Sequence, residues 1–174
     1  MTHLQSDHSD LLKRIRILLV LFIAGLILSG LTAFALEYEM SSLSAWLPQP
    51  DATPANTYAG FHAWILRIKT GLHATNENYP FIAYGTDWLA FAHLVLAVLF
   101  VGPYLDPVRN KWVITFGLIA CVLVIPLALI CGALREIPLG WRLIDCSFGI
   151  VGFVPLYIIR RYTARLEASS RVDA

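Results

Sequence analysis

Five polar side chains stand at the mouths of long apolar stretches or within them. Thr86, Asp87 and His93 lie in "YGTDWLAFAH"; Arg142 and Asp145 lie in "WRLID". An ionisable group inside a membrane costs about 2.5–3.5 kcal/mol on insertion scales, so such residues are candidates for function. Histidine exchanges protons near neutral pH, and a neighbouring carboxylate can orient or supply that proton. His93 and Asp145 are therefore the candidate catalytic pair. Arg142 would clamp an anionic group, and Asp87 and Thr86 would complete a ligand-binding set. The same residues also have plain structural roles. Arg142 precedes Asp145 by three positions and can pair with it on one helix face. Asp87 can cap the start of a helix, and His93 can hydrogen-bond a neighbouring helix.

Other chemistries find less support. His62 and His73 are separated by eleven residues, about 16 Å along a helix at 1.5 Å per residue, so one ion cannot touch both. No HxxxH, HxH or HxxE pairing occurs, and no metal site is expected. Both histidines read as solvated interfacial residues. A b-type haem needs two facing histidines, and His93 alone lies in an apolar run. Cys121, Cys131 and Cys146 form no CxxC pair, which argues against thiol–disulfide exchange and for packing. No cofactor is legible.

The elements that must hold these residues follow from composition. Of the 174 residues 57% are hydrophobic and 14% charged, against about 25% charged in soluble domains. Crossing the hydrocarbon takes roughly 20 helical residues. Residues 17–36, 88–105, 112–134 and 143–159 meet or approach that length, interrupted only by His93 and Asp145. Uninterrupted runs of this kind are helices, because lipid offers unpaired backbone groups no partner. The expected fold is an all-α integral membrane protein of a single domain. Four transmembrane helices form its bundle, and an amphipathic helix lies in the long first outer loop, residues 37–87.

Lys13, Arg14 and Arg16 precede the first span, Arg109 and Lys111 separate the second from the third, and Arg160, Arg161 and Arg165 follow the fourth. The positive-inside rule puts all three clusters, both termini and the tail 160–174 in the cytoplasm, most simply that of a bacterium with the chain in its inner membrane. "KRIR", the apolar run and "AFA" at 33–35 also resemble a cleavable signal, but the run exceeds the usual 7–15 residues, which favours a retained helix.

In the outer loop Pro48, Pro50 and Pro54 mark a turn-rich segment. Tyr58, Phe61, Ile65, Ile68 and Leu72 then recur at helical spacing, with His62, Arg67, Lys69 and His73 on the other sides. This pattern predicts an amphipathic helix lying on the membrane or capping the bundle. Small-residue stripes should pack the spans: Gly25, Ser29 and Thr32; Thr86, Ala90, His93 and Ala97; Gly117, Cys121 and Ala128; Arg142, Asp145, Gly149 and Gly152. His93 and Asp145 each fall about 6–8 Å below an interfacial tryptophan, Trp88 or Trp141, which predicts a polar pocket near the outer face.

The functional expectation is a lipophilic small molecule, such as a quinone, isoprenoid or lipid, bound or processed in that pocket. The alternative is a non-catalytic accessory subunit of a larger membrane complex. Expected partners are membrane lipids, that ligand, and a membrane protein or second copy of the chain. A net charge of +1 gives no reason to expect nucleic acid.

Overall fold

The computed structural model describes residues 2–46 and 57–172, and among them it is all-helical, without strands. The elements are α1 (Thr2–Phe34), α2 (Leu36–Trp46), α3 (Thr57–Asn78), a 3₁₀ turn (Pro80–Ile82), α4 (Tyr84–Leu99), α5 (Val101–Leu105), α6 (Lys111–Leu134) and α7 (Leu139–Val172). Four stretches are long and apolar enough to span a membrane: His8–Phe34, Pro80–Leu105, Lys111–Leu134 and Leu139–Ser169. Large apolar side chains along them face outward: Leu21 and Leu28 are each 64% exposed, and Val151 is 70% exposed. Apolar surface of this extent suits lipid and would aggregate in water. The fold is that of a multi-pass integral membrane protein.

Helix boundaries depart from the apolar runs in ways that local chemistry explains. The second run is not one helix: α4 ends at Leu99 and α5 resumes at Val101. Pro103 has no N–H for the Leu99 carbonyl and its ring crowds that position, so the ladder breaks. The fourth run is longer than its apolar core, since α7 continues through the expected tail to Val172. Helices α6 and α7 run on through Pro126 and Pro155. An additional helix, α2, occupies "LEYEMSSLSAW", where no helix is legible in the pattern. The segment with Pro48, Pro50 and Pro54 lies outside the described residues, as does the side chain of Tyr58.

The chain divides into two compact units, Met1–Leu26 with Leu96–Ala174, and Ile27–Val95. In the first, Ile15, Leu19, Phe100, Ile114, Leu156, Ile159 and Leu166 are buried together as its apolar core. Helices α6 and α7 form a tight hairpin. At its turn the Ile137 N–H donates to the Gly132 carbonyl and the Glu136 N–H to the Ala133 carbonyl, with Glu136 left-handed at φ 56°. That is a Schellman ending, unusual in placing glutamate where glycine is preferred. The expected small-residue stripes of these two spans do meet: a Cβ on Gly149 would stand 2.5 Å from the Cys121 carbonyl oxygen, and one on Gly152 would stand 3.0 Å from Cys121 Sγ.

The opposite hairpin of this unit is held by polar contacts. Asp106 Oδ1 accepts from the Arg109 N–H at 2.9 Å, and Asn110 Nδ2 donates to the Gly102 and Asp106 carbonyls at 3.1 and 2.9 Å. Pro103 and Pro107 are buried within it.

In the second unit the end of α1 packs on α4 through Gly30, where a Cβ would lie 2.9 Å from the Ala90 carbonyl oxygen and 3.2 Å from His93 Cβ. The stripe of this helix is therefore centred on Gly30. Gly25, expected in the seam, has nothing within 4 Å of its Cβ position. Helix α2 packs on α3, where Met40, Ser44, His62 and Ile65 are buried. Lys69 Nζ donates to Ser44 Oγ at 3.2 Å across this contact. His62 is only 2% exposed and its Nε2 has no hydrogen-bond partner, so it is a buried residue and not the solvated one expected.

Two glycine substitutions separate close approach from open space. Gly149→Ala pushes a methyl into an immovable backbone carbonyl and should destabilise the protein by about 1–3 kcal/mol. Gly25→Ala, with no neighbour to displace, should be neutral or stabilising by up to about 1 kcal/mol. Thermal unfolding of both variants in mild detergent reads the difference.

Candidate functional site

The second unit contains a cleft of about 550 Å³ at the head of α1 and α4. It forms because α1 stops at Phe34. The Ala35 N–H donates to the Thr32 carbonyl, and α2 begins at Leu36, so the helix is interrupted where the apolar run ends. Below it, the 3₁₀ turn feeds directly into α4. Phe34, Leu36, Leu72 and Ile82 give the cleft apolar walls; Glu37, Ser41, Thr75, Asn76, Thr86 and Asp87 give it polar ones.

Two of the sequence candidates therefore line one cavity. Thr86 Oγ1 donates to the Ala83 carbonyl at 2.6 Å. Asp87 is not the helix cap expected of it. Helix α4 begins at Tyr84, and the Asp87 N–H already bonds to the Ala83 carbonyl, which places its carboxylate in the first turn. A carboxylate there still benefits from the positive end of the helix dipole.

A second carboxylate of the cleft is Glu37, which the apolar pattern of the sequence does not single out. Asn76 Nδ2 donates to Glu37 Oε2, and His73 Nδ1 lies 3.1 Å from Glu37 Oε1. His73 Nε2 lies 3.3 Å from Glu77 Oε1. Carboxylate oxygens only accept, so both His73 contacts are hydrogen bonds only when the imidazole carries two protons. The Asn76 bond, then the His73 bond, holds the Glu37 carboxyl below the usual glutamate range, against the opposing effect of desolvation. The signal was present in the sequence, since His73, Asn76 and Glu77 stand at i, i+3 and i+4 on α3. What was missing was α2, which brings Glu37 to them.

The other candidates do not line this cleft. His93 lies within α4, where its Nδ1–H donates to the Leu89 carbonyl of its own helix at 2.8 Å. A carbonyl cannot donate, so the proton is on Nδ1 and a neutral ring keeps Nε2 as an acceptor. Arg142 and Asp145 belong to the first unit and do not pair. Arg142 instead reaches across the hairpin: its stem packs on Gly132, and its Nη1 donates to the Leu129 carbonyl at 3.3 Å. Arg142 Nε is buried without a partner. Asp145 is half-buried and makes no hydrogen bond or ion pair among the described residues. The i, i+3 spacing permits an ion pair, but the small Gly132 opposite offers Arg142 a closer bed.

Beside the cleft, an aromatic ladder occupies the outer surface of α4. Tyr84, Trp88 and Phe91 meet edge to face at centroid distances of 5.9 and 6.0 Å. Aromatics of this kind collect at the membrane–water interface. Among the described residues no group of three or more His, Cys, Asp or Glu side chains is arranged to hold a metal ion. The chain matches no protein-family model, no curated protein and no solved structure.

Glu37 gives the site a pH signature. Its folded value is lowered, so the stabilisation is fully present above the ordinary glutamate range and is lost as the pH falls through the folded value. Thermal unfolding in mild detergent, followed from neutral to acid pH, should show wild type losing more stability than Glu37→Gln. Parallel curves would count against this cluster.

Proposed function

We propose that the chain is a multi-pass protein of a bacterial inner membrane, with both termini cytoplasmic, that binds a lipophilic small molecule at its outer face. The orientation rests on the three Lys/Arg clusters and the positive-inside rule. The single observation that carries the binding proposal is the cleft of about 550 Å³, lined by both apolar and hydrogen-bonding side chains. Ligand sites are commonly concave, mostly apolar cavities of 300–1,000 Å³ with a few oriented polar groups. Quinones, isoprenoids and lipids have that division between an apolar body and a polar head.

Helix α3 contributes Leu72, Thr75 and Asn76 to the cleft and serves as its cover. Phe61, Ile65, Ile68 and Leu72 are buried or half-buried along it while Arg67 is exposed, which supports its role as an amphipathic element at the membrane surface. Binding is better supported than catalysis. His93 is bonded to its own helix, Arg142 clamps a hairpin, and neither is among the lining residues.

An accessory role in a larger membrane complex has its own support in the exposed aromatics of the second unit. Tyr38 and Phe81 are 76% and 74% exposed. Such residues are frequent anchors at protein interfaces.

Native mass spectrometry from mild detergent separates the two. Wild type should retain a small molecule of defined mass. Ala83→Trp, which fills the cleft, should lose it, while His93→Ala should keep it. Wild type that is empty, or that carries the same unspecific lipids as Ala83→Trp, would turn attention to protein partners.

A further inference from the structure

The first unit carries a separate feature at the end away from the α6–α7 turn. There the start of α1, the turn before α6 and the last turns of α7 share one apolar cluster that includes Ile15, Ile159, Tyr162 and Leu166. Two lysines and several arginines surround it, and the structure treats the two residue types differently. Lys13 Nζ lies 3.8 Å from Asp10, and Lys111 Nζ donates to both carboxylate oxygens of Glu167 at 2.9 and 3.1 Å. The third carboxylate here, Asp106, is engaged by the Arg109 N–H and not by a side chain. Among the described residues, Arg14, Arg16, Arg109, Arg160, Arg161 and Arg165 have no carboxylate partner.

Arg16 and Arg165 lie over tyrosine rings, with the guanidinium carbon 5.6 Å from the Tyr104 centroid and 5.9 Å from that of Tyr162. Arg161 and Arg165 are four residues apart on α7, a spacing at which like charges destabilise an isolated helix. Trp112 is exposed beside Lys111, so interfacial aromatics mark this level as that of the lipid headgroups.

A need for positive charge alone would be met by lysine as well as by arginine. Each lysine here has a carboxylate within 4 Å, and among the described residues the cations here without one are all arginines. Arginine differs from lysine in its planar fork of donors, which matches two phosphate oxygens at once, and in its weaker hydration. Basic clusters between transmembrane helices are a known way of holding anionic headgroups. We infer that this end of the protein is a binding surface for anionic phospholipid, with the arginines of α7 at its centre and a phosphodiester uncompensated by a headgroup cation as the recognised group.

The test uses the full chain in mild detergent, offered equimolar phosphatidylglycerol and phosphatidylcholine with identical acyl chains, and read by native mass spectrometry. Wild type should retain phosphatidylglycerol in excess. Arg160→Gln/Arg161→Gln/Arg165→Gln should lower that excess by about fivefold for each arginine that contacts the headgroup. Arg160→Lys/Arg161→Lys/Arg165→Lys keeps the net charge and should still show a clear loss, while Lys13→Gln/Lys111→Gln should retain the preference. Far-UV circular dichroism checks that each variant is folded. No preference in wild type, or full preference in the three-lysine variant, would overturn the inference. Displacement of the lipid by excess inorganic phosphate would overturn the phospholipid as the occupant.

Discussion

The Cβ position of Gly149, 2.5 Å from the Cys121 carbonyl, shows the constraint under which this chain folds. In lipid, burying apolar side chains between helices gains little, because the surroundings are equally apolar. Association must come from close van der Waals contact, and that requires backbones to approach. Gly149 and Gly152 permit this in the α6–α7 hairpin, and Gly30 does so where α1 meets α4. At these seams Gly30, Ala90, Gly132 and Gly149 are buried, while Leu21, Leu28 and Val151 are exposed.

Within the spans some polar groups satisfy themselves on their own helix: His93 bonds to Leu89, and Thr115 Oγ1 donates to the Lys111 carbonyl at 3.1 Å. At the head of α1 the chain leaves its apolar run and the helix breaks at Ala35, and there carboxylates, amides and hydroxyls gather around the cleft.

The spans were legible because a run of about 20 apolar residues has few alternatives in a backbone that must bond to itself. The facing stripes of α6 and α7 were legible too, since small residues at helical spacing mark a seam. The phase of α1 was not, because Gly25 and Gly30 are both small and only the partner helix decides which is covered. Helix α2 was hidden by its composition: "EYEMSSLSAW" has neither an apolar period nor a strong cap, and its helix depends on packing against α3. With α2 unseen, Glu37 could not be joined to His73 and Asn76. His62 was misplaced for the same reason, since the element that buries its face was absent. Thr86 and Asp87 could be placed at the mouth of a span from sequence, but their cleft needed α2 and α3.

Arg142 shows why a pair permitted by spacing need not form. The left-handed Glu136 ends α6 abruptly and returns the chain within a few residues, which sets the register of α7 against α6. In that register Gly132 lies opposite Arg142, and the absence of a side chain there opens a channel along which the guanidinium reaches the Leu129 carbonyl. A backbone carbonyl has a second lone pair beyond the one its helix uses, so the Leu129 oxygen can accept from the guanidinium. The choice between Leu129 and Asp145 is therefore made by the turn and by one glycine on the facing helix, neither of which the spacing of Arg142 and Asp145 can register.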